Sequence, residues 1–391
     1  MITVIGIGED GLNGLSPAAR ALVDNAEILV GGARHLAMIP DSKAERLSWA
    51  SPFTHSRALL DSRKDRRLVV LASGEPLWFG AAAALIEWFG PDSVSVLPHP
   101  GAFSLASSRL KWPLQNCLCL TIHGRPVDAL ALHLAPGRKL LILSEDRSSP
   151  LQVAQLLHAH GFDSSRLAVL ENLGGAAERL TDAQGCASDL NVIAVDCVIL
   201  PGHRPLSTVP GLPDEAFEHD GQLTKREMRA VTLSALAPLP GQILWDVGAG
   251  CGSVAIEWMR AGGHAIAMEA KDERLARIAR NAARLGVPGL EIIAGRAPDC
   301  LPLDREAPDA IFVGGGISEA GLLDICWSAL ARGGRLVANA VTMEGEAALM
   351  ALHGLHGGEM TRLSVARLGR VGGFHTWHPA MPVTRYVGWK R

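Results

Sequence analysis

The 391-residue sequence lacks any apolar run approaching the roughly 18 residues needed to span a bilayer. Its opening, MITVIGIGEDG, has no basic stretch of the kind that begins a secretory signal. A soluble, cytoplasmic protein without a membrane partner is therefore expected. No C-x-x-C pair occurs, and no histidine sits at zinc-ligand spacing from the seven cysteines at 117, 119, 186, 197, 251, 300 and 326. They read as reduced core thiols, with Cys117 and Cys119 alternating along one face of a strand, and no metal site is expected. Charge of one sign is not in excess: Lys plus Arg number 37 and Asp plus Glu 40, a formal net charge of −3, with no lysine-rich arm. That balance excludes a general attraction for nucleic acid, so any anionic ligand must be held by local groups. A G-x-S-x-G elbow, a P-loop and an internal repeat are also missing.

What is present is 48% apolar residues, enough for more than one core, with 42 glycines and 23 prolines spread along the chain. Short β-rich runs alternate with helical stretches, the pattern of α/β domains with mostly parallel sheets. In the first half strands are predicted at 2–7, 27–30, 68–72, 94–97, 118–122, 139–143, 166–170 and 192–199. In the second half they are predicted at 243–247, 264–268, 290–294, 309–313, 334–339, 360–367 and 383–389. Helices are expected from Pro17 to Asn25, capped by Ser16, and from Lys271 to Leu285, ending before Gly286. The proline- and glycine-rich stretch 201–221 has no periodicity of its own. The expected organisation is a domain over 1–205 with two lobes dividing near 98–101, a linker over 206–221 and a second domain over 222–391.

In the second half, ILWDVGAGCGS (243–253) is a β-run ending in Asp246 and followed by Gly248, Gly250 and Gly252, then by the helical VAIEWMRA. Such glycines let the chain turn sharply out of a strand and let a ligand lie against the backbone. The spacing is G-x-G-x-G, not the dinucleotide fingerprint G-x-G-x-x-G. A second strand, HAIAM, ends in Glu269, 23 residues beyond Asp246, where an acid can accept both hydroxyls of a ribose. A nucleoside ligand follows; a tight turn with no ligand is the bland alternative. The constellation resembles class I S-adenosylmethionine-dependent methyltransferases. LTKREMR (223–229), GRAP (295–298), PDAIFVGGG (308–316) and GGRLVANAVTMEG (333–345) resemble motifs of the decarboxylating precorrin methyltransferases of cobalamin biosynthesis. The resemblance implies cofactor contacts at Thr224, at Gly248, Ala249, Gly250, Cys251 and Gly252, at Glu269 and at Ala297. Where that family usually has an aspartate this sequence has Arg296, so an adenine-amine contact there needs another acceptor. Lys225, Arg226 and Arg229 are candidates for docking substrate carboxylates, with 225 and 229 on one helical face; a solvated basic face is the alternative. His375, His378 and Arg385 are further candidates.

In the first half, Gly6, Gly8 and Gly11 of VIGIGEDG match G-x-G-x-x-G, but the next helix cannot begin before about Pro17, and Glu27 opens the following strand instead of closing it. A dinucleotide site is not expected there. GIGEDGLNGLS (6–16), ASGEPLWFG (72–80), PGAFSLA (100–106), IHGRP (122–126) and ENLGG (171–175) resemble motifs of the class III, or tetrapyrrole, methyltransferases, built from two α/β lobes with the cofactor in the cleft between them. That resemblance implies cofactor-cleft roles for Ser73, Gly74, Glu75, Trp78, Phe103 and Ser104, with Glu75 standing where the family has aspartate. Ordinary core packing is the alternative for Trp78.

The two resemblances together imply an α/β chain in which a two-lobed class III domain precedes a Rossmann-like class I domain. They imply S-adenosylmethionine as cofactor and methylation of a precorrin at carbon 5 by the first domain. The second domain would methylate carbon 15 and release the ring C acetate carboxyl as carbon dioxide, and relatives of both domains associate, so a homo-oligomer is expected. Direct transfer to a nucleophilic carbon needs alignment and no protein nucleophile. An RNA or other small-molecule methyltransferase using the second-half loop is the alternative enzyme, and a non-enzymatic nucleotide sensor the alternative of another class.

Overall fold

Residues 2–7 are apolar at nearly every position because both faces of the strand they form are covered, as in parallel sheets. In the computed structural model, which describes residues 1–39 and 42–391, this strand, β1 (Ile2–Ile7), lies among β2 (Ile28–Gly31), β3 (Glu45–Ser48), β4 (Leu68–Ser73) and β5 (Val94–Leu97). The order is β3-β2-β4-β1-β5 and all pairs are parallel. The chain leaves this sheet at Leu97, and helix Ala102–Leu110 packs Phe103 and Ala106 against a second sheet. That sheet comprises β6 (Cys117–Thr121), β7 (Lys139–Leu143), β8 (Arg166–Glu171), β9 (Arg179–Thr181) and β10 (Asn191–Asp196), ordered β6-β7-β10-β8-β9. Only β6 and β7 run parallel in it. Helix Pro17–Asp24 begins as its sequence dictates, with the Ser16 hydroxyl accepting from the Ala19 N–H at 3.2 Å.

The second unit holds β11 (Ile243–Val247), β12 (His264–Glu269), β13 (Glu291–Ala294), β14 (Ala310–Val313), β15 (Arg335–Ala340), β16 (Glu359–Leu363) and β19 (Val383–Trp389) in one sheet, ordered β13-β12-β11-β14-β15-β19-β16. The first five of that order are parallel and β19 runs antiparallel. Between β16 and β19 the chain forms a separate hairpin, β17 (Ala366–Val371) and β18 (Phe374–Pro379). The sequence-predicted strand 360–367 merges the start of that hairpin with β16, and no strand is predicted at β3, β9 or β18. All of these are largely exposed segments without a buried face to write an apolar period.

Compact units divide the chain into Met1–Val127 with Leu134–His203, and Asp128–His133 with Arg204–Arg391. The stretch 206–221, expected as a linker, is instead packed into the second unit. Leu212 and Phe217 are buried in its core. Glu257 accepts the N–H groups of Gly211 at 2.5 Å and Leu212 at 3.0 Å, and Asn281 accepts from Glu218 N at 2.8 Å while donating to Glu218 O at 3.0 Å. A segment without periodicity can thus be fully ordered when side chains of neighbouring helices satisfy its backbone.

Arg229 ties this strap down. Its side chain is wholly buried, with Nε donating to Glu257 at 2.5 Å, Nη1 to the Thr224 carbonyl at 2.5 Å and to Asp214 at 3.3 Å, and Nη2 to the Leu212 carbonyl. Removing Arg229 leaves the buried Glu257 carboxylate without its ion-pair partner, which costs about 3–5 kcal/mol. Arg229→Ala is therefore expected to lower the unfolding free energy of the second unit by that amount and to open 204–221 to protease, read by urea unfolding and limited proteolysis. Wild-type protection in the variant would overturn the assignment.

Candidate active sites

In the first unit, loops that follow parallel strands must approach one another closely. A Cβ on Gly6 would stand 1.9 Å from the Gly74 carbonyl oxygen, and one on Gly74, at φ +48°, would stand 2.6 Å from Gly101 Cα. The glycines that resembled a dinucleotide fingerprint serve this contact in part, and a short 3-10 turn, Gly11–Gly14, separates them from the helix at Pro17. Above the loops opens a cleft of about 980 Å³, at the upper end of small-molecule sites.

Ser73, Glu75, Trp78, Phe103 and Ser104, expected from the sequence, line the cleft, and Gly74 lines a smaller adjoining cavity of about 90 Å³. The ring of Trp78 lies 5.5 Å from that of Phe103, while Trp78 itself remains 45% exposed, so it is a wall of the cleft and not core packing. Glu75 turns back to accept from Leu77 N at 3.2 Å.

Sequence reading missed Arg34, His35 and His99, which share the lining. Arg34 donates to Ser73 Oγ at 2.9 Å and pairs with Glu9, and His35 Nε2 lies 2.9 Å from the same hydroxyl. Burial, and secondarily the Arg34 charge, lowers the His35 pKa to about 4. The adjacent Arg-His pair in GGARHL was the only available signal.

In the second unit, Gly248, Gly250 and Gly252 all have left-handed φ, +72°, +63° and +79°. At Gly248 the need is double, because a Cβ would also lie 2.8 Å from Gly315 Cα, in the loop that leaves β14. Glu269 closes β12 and faces this loop. Its Oε2 accepts from Gly250 N at 2.8 Å, and its Oε1 accepts from Ala270 N and Lys271 N, both at 3.1 Å. Ala249 N donates to the Met268 carbonyl at 3.0 Å, Cys251 is buried beneath the loop, and Gly252 caps helix Ser253–Arg260. Thr224 is half-buried on the segment whose Gln222 carbonyl lies against Gly250. Ala297 packs beside the β14 core, and its neighbour Arg296 is paired with Glu319.

Of the three cationic candidates, Lys225 and Arg226 are exposed at the start of helix Arg226–Leu236. Arg229 is not available to a substrate carboxylate: Glu257, Asp214 and two carbonyls consume its donors, which corrects the expectation placed on it. His375 and His378 lie on the exposed hairpin, and Arg385 donates to the Val231 carbonyl at 2.8 Å. All seven cysteines are free, with burial raising Cys119 to about 11.

Two unrelated cradles at the carboxyl ends of parallel strands, one a two-lobed cleft and one an acid-closed glycine loop, describe two methyltransferase domains. The model of the Tetrapyrrole (Corrin/Porphyrin) Methylases matches residues 1–185, and that of the Precorrin methyltransferase domain matches residues 215–390. Over 394 aligned residues the chain is 46% identical to precorrin-6Y C(5,15)-methyltransferase [decarboxylating] of Sinorhizobium sp, covering 98% of this chain and 95% of that protein. It belongs to the family of that enzyme. It is also similar over part of its length to single-activity proteins. One is cobalt-precorrin-7 C(5)-methyltransferase of Salmonella typhimurium, 32% identical over 46% of this chain and 89% of that one. Another is a probable cobalt-precorrin-6B C(15)-methyltransferase (decarboxylating) of Saccharolobus solfataricus, 33% identical over 35% of this chain and 72% of that one.

Asp246 supplies a test of the loop's electrostatics. It is fully buried, with Oδ2 accepting from Ala255 N at 3.0 Å and Oδ1 without a partner among the described residues. Burial raises its pKa from the ordinary 3.8 to about 7. Because the folded value lies above the unfolded one, the folded chain binds this proton more tightly. The contribution is complete below pH 3.8 and is lost as pH rises to about 7, a change of roughly a few kcal/mol. Asp246→Asn is expected to remove that decline, so that its thermal midpoint exceeds the wild-type one increasingly from pH 5 to about pH 7 and by a constant margin above it; parallel profiles from pH 5 to pH 7 would refute the shift.

Proposed function

We propose that this chain methylates a precorrin at carbon 5 in the first unit and at carbon 15 in the second, and releases the ring C acetate carboxyl as carbon dioxide with the second transfer, in cobalamin biosynthesis. The observation that carries the reading is the presence, in one chain, of two unrelated donor cradles, each with its own fold and glycine contacts. S-adenosylmethionine is the methyl donor, supplying an electrophilic methyl on a sulfonium. Ser73, Gly74, Glu75, Trp78, Phe103 and Ser104 hold it in the first unit.

In the second unit the residues fit the donor on their own geometry. Three left-handed glycines expose the backbone, and the Glu269 carboxylate, fixed by three N–H groups, stands at the strand end where ribose hydroxyls are received. Gly248 to Gly252, Thr224 and Ala297 complete the cradle. Exposed Lys225 and Arg226 attract the peripheral carboxylates of the macrocycle. A carboxylate left unpaired and away from water is raised in free energy, which favours its departure as carbon dioxide while the conjugated ring receives the electron pair.

The same reading places the enzyme in the cytoplasm, in agreement with the finding that no helix among the described residues is long and apolar enough to cross a membrane. It makes the chain a homo-oligomer, supported by the β17–β18 hairpin, on which Phe374 is 82% and Trp377 65% exposed.

Mass spectrometry of a metal-free precorrin incubated with the full chain and S-adenosylmethionine tests the proposal. The expected product carries two further methyl groups and lacks one carbon dioxide. Glu269→Ala should abolish carbon dioxide release and leave at most one methyl added. An unchanged substrate mass with the wild type, or undiminished release by the variant, would sink the reading.

A further inference from the structure

Arg34, His35 and Ser73 form a closed triangle in the wall of the first-unit cleft. Arg34 Nη2 lies 2.9 Å from Ser73 Oγ and 3.1 Å from His35 Nε2, and His35 Nε2 lies 2.9 Å from Ser73 Oγ. A guanidinium only donates, so the imidazole nitrogen facing it is the unprotonated one. The remaining side of the triangle is then the Ser73 O–H donating to His35 Nε2, with the ring proton on Nδ1. Among the described residues no partner competes for the other tautomer, because Nδ1 is buried and makes no hydrogen bond there. Glu9 pairs with Arg34 and holds the guanidinium against the hydroxyl.

We propose that Ser73 and His35 are a proton relay that takes up the proton released when a ring carbon is methylated in this cleft. The proposal rests on the functional reading above. In that transfer the ring carbon forms a bond to the methyl group with its own electron pair, and the sulfur–methyl bond breaks with its pair remaining on sulfur. The methylated macrocycle, now cationic, must lose one proton. Ser73 Oγ accepts it while the hydroxyl proton moves to His35 Nε2, the Arg34 guanidinium giving up its contact with that nitrogen and keeping those with Ser73 and Glu9, and the imidazolium later returns the proton to water. Neither oxidant nor co-reactant is needed. The positive charge borne by the sulfonium before transfer resides on the imidazolium after it, so the cleft never holds both.

The depressed basicity of His35 keeps the relay empty at neutral pH. Its helix, Ala33–Ala37, packs on β2, β3 and β4. Neither β2 nor β4 carries an ionisable side chain, whereas β3 carries Glu45, paired with Arg63 and Arg66, and Arg46, which donates to the Ile39 carbonyl at 2.6 Å. Glu75 and His99 share the cleft wall, and His123, Arg125, Glu145 and Asp189 line it from the second sheet. Carboxylates of a bound macrocycle would strengthen the base when it is needed.

Two measurements on the full chain test the relay. First, a histidine NMR titration without ligands, with the His35 signal assigned by its loss in His35→Gln, should show the Nδ1–H tautomer and a midpoint near 4. Second, His35→Gln preserves an acceptor for the Ser73 hydroxyl but cannot take a proton. Its kcat for the first-unit methylation should fall about a hundredfold with KM unchanged, the product short of one methyl should accumulate, and the acid limb of the kcat/KM profile should vanish. A His35 midpoint near its ordinary value, or a variant with wild-type kcat and an intact acid limb, overturns the relay alone. A wild type that adds no methyl group in this cleft overturns the functional reading and the relay with it.

Discussion

The carbonyl oxygen of Gly74 occupies the space in which a side chain on Gly6 would begin, and Gly248 meets Gly315 in the same manner in the second unit. Parallel strands deliver their loops to a common edge, where a ligand can be bound only if those loops draw close enough to form a floor. Removing Cβ atoms from the contact is how both units achieve it. The cleft of the first unit and the cradle of the second both lie at such contacts, although one sheet is ordered β3-β2-β4-β1-β5 and the other β13-β12-β11-β14-β15-β19-β16.

Buried charge shows the second requirement of these sites. Arg229 and Glu257 are both enclosed and satisfy each other together with a length of otherwise irregular backbone, so their pairing is structural. Asp246 is enclosed with one oxygen unmet among the described residues, and Glu269 is enclosed and held by three N–H groups with acceptor capacity left for a ligand. Three acids and one base with similar burial thus differ in what they can do, according to which lone pairs and protons are already taken.

Much of this was legible in the sequence. Strands β1, β5, β7, β11 and β19 were placed to the residue because continuous or alternating apolar runs ended at turn residues. The glycine loop was legible because the left-handed φ at 248, 250 and 252 restricts residue type there. Side-chain traffic was not. Whether Arg229 faces solvent or Glu257 depends on a helix 28 residues away, and nothing in LTKREMR encodes it. Arg34 and His35 escaped notice for a related reason: their partner Ser73 lies 39 and 38 residues downstream and is brought near only by the β2–β4 pairing.

The strap over 204–221 bears on how the chain can be dissected. Its proline-rich appearance invites a cut just before the second glycine-rich domain, at 221 or 222. Such a cut would strip Leu212 and Phe217 from a hydrophobic core and leave Glu257 and Asn281 with unmet acceptors inside the fragment. A fragment begun there would carry every residue of the glycine cradle and still be a damaged protein, so loss of activity on truncation would report missing packing and say nothing about which unit performs the chemistry.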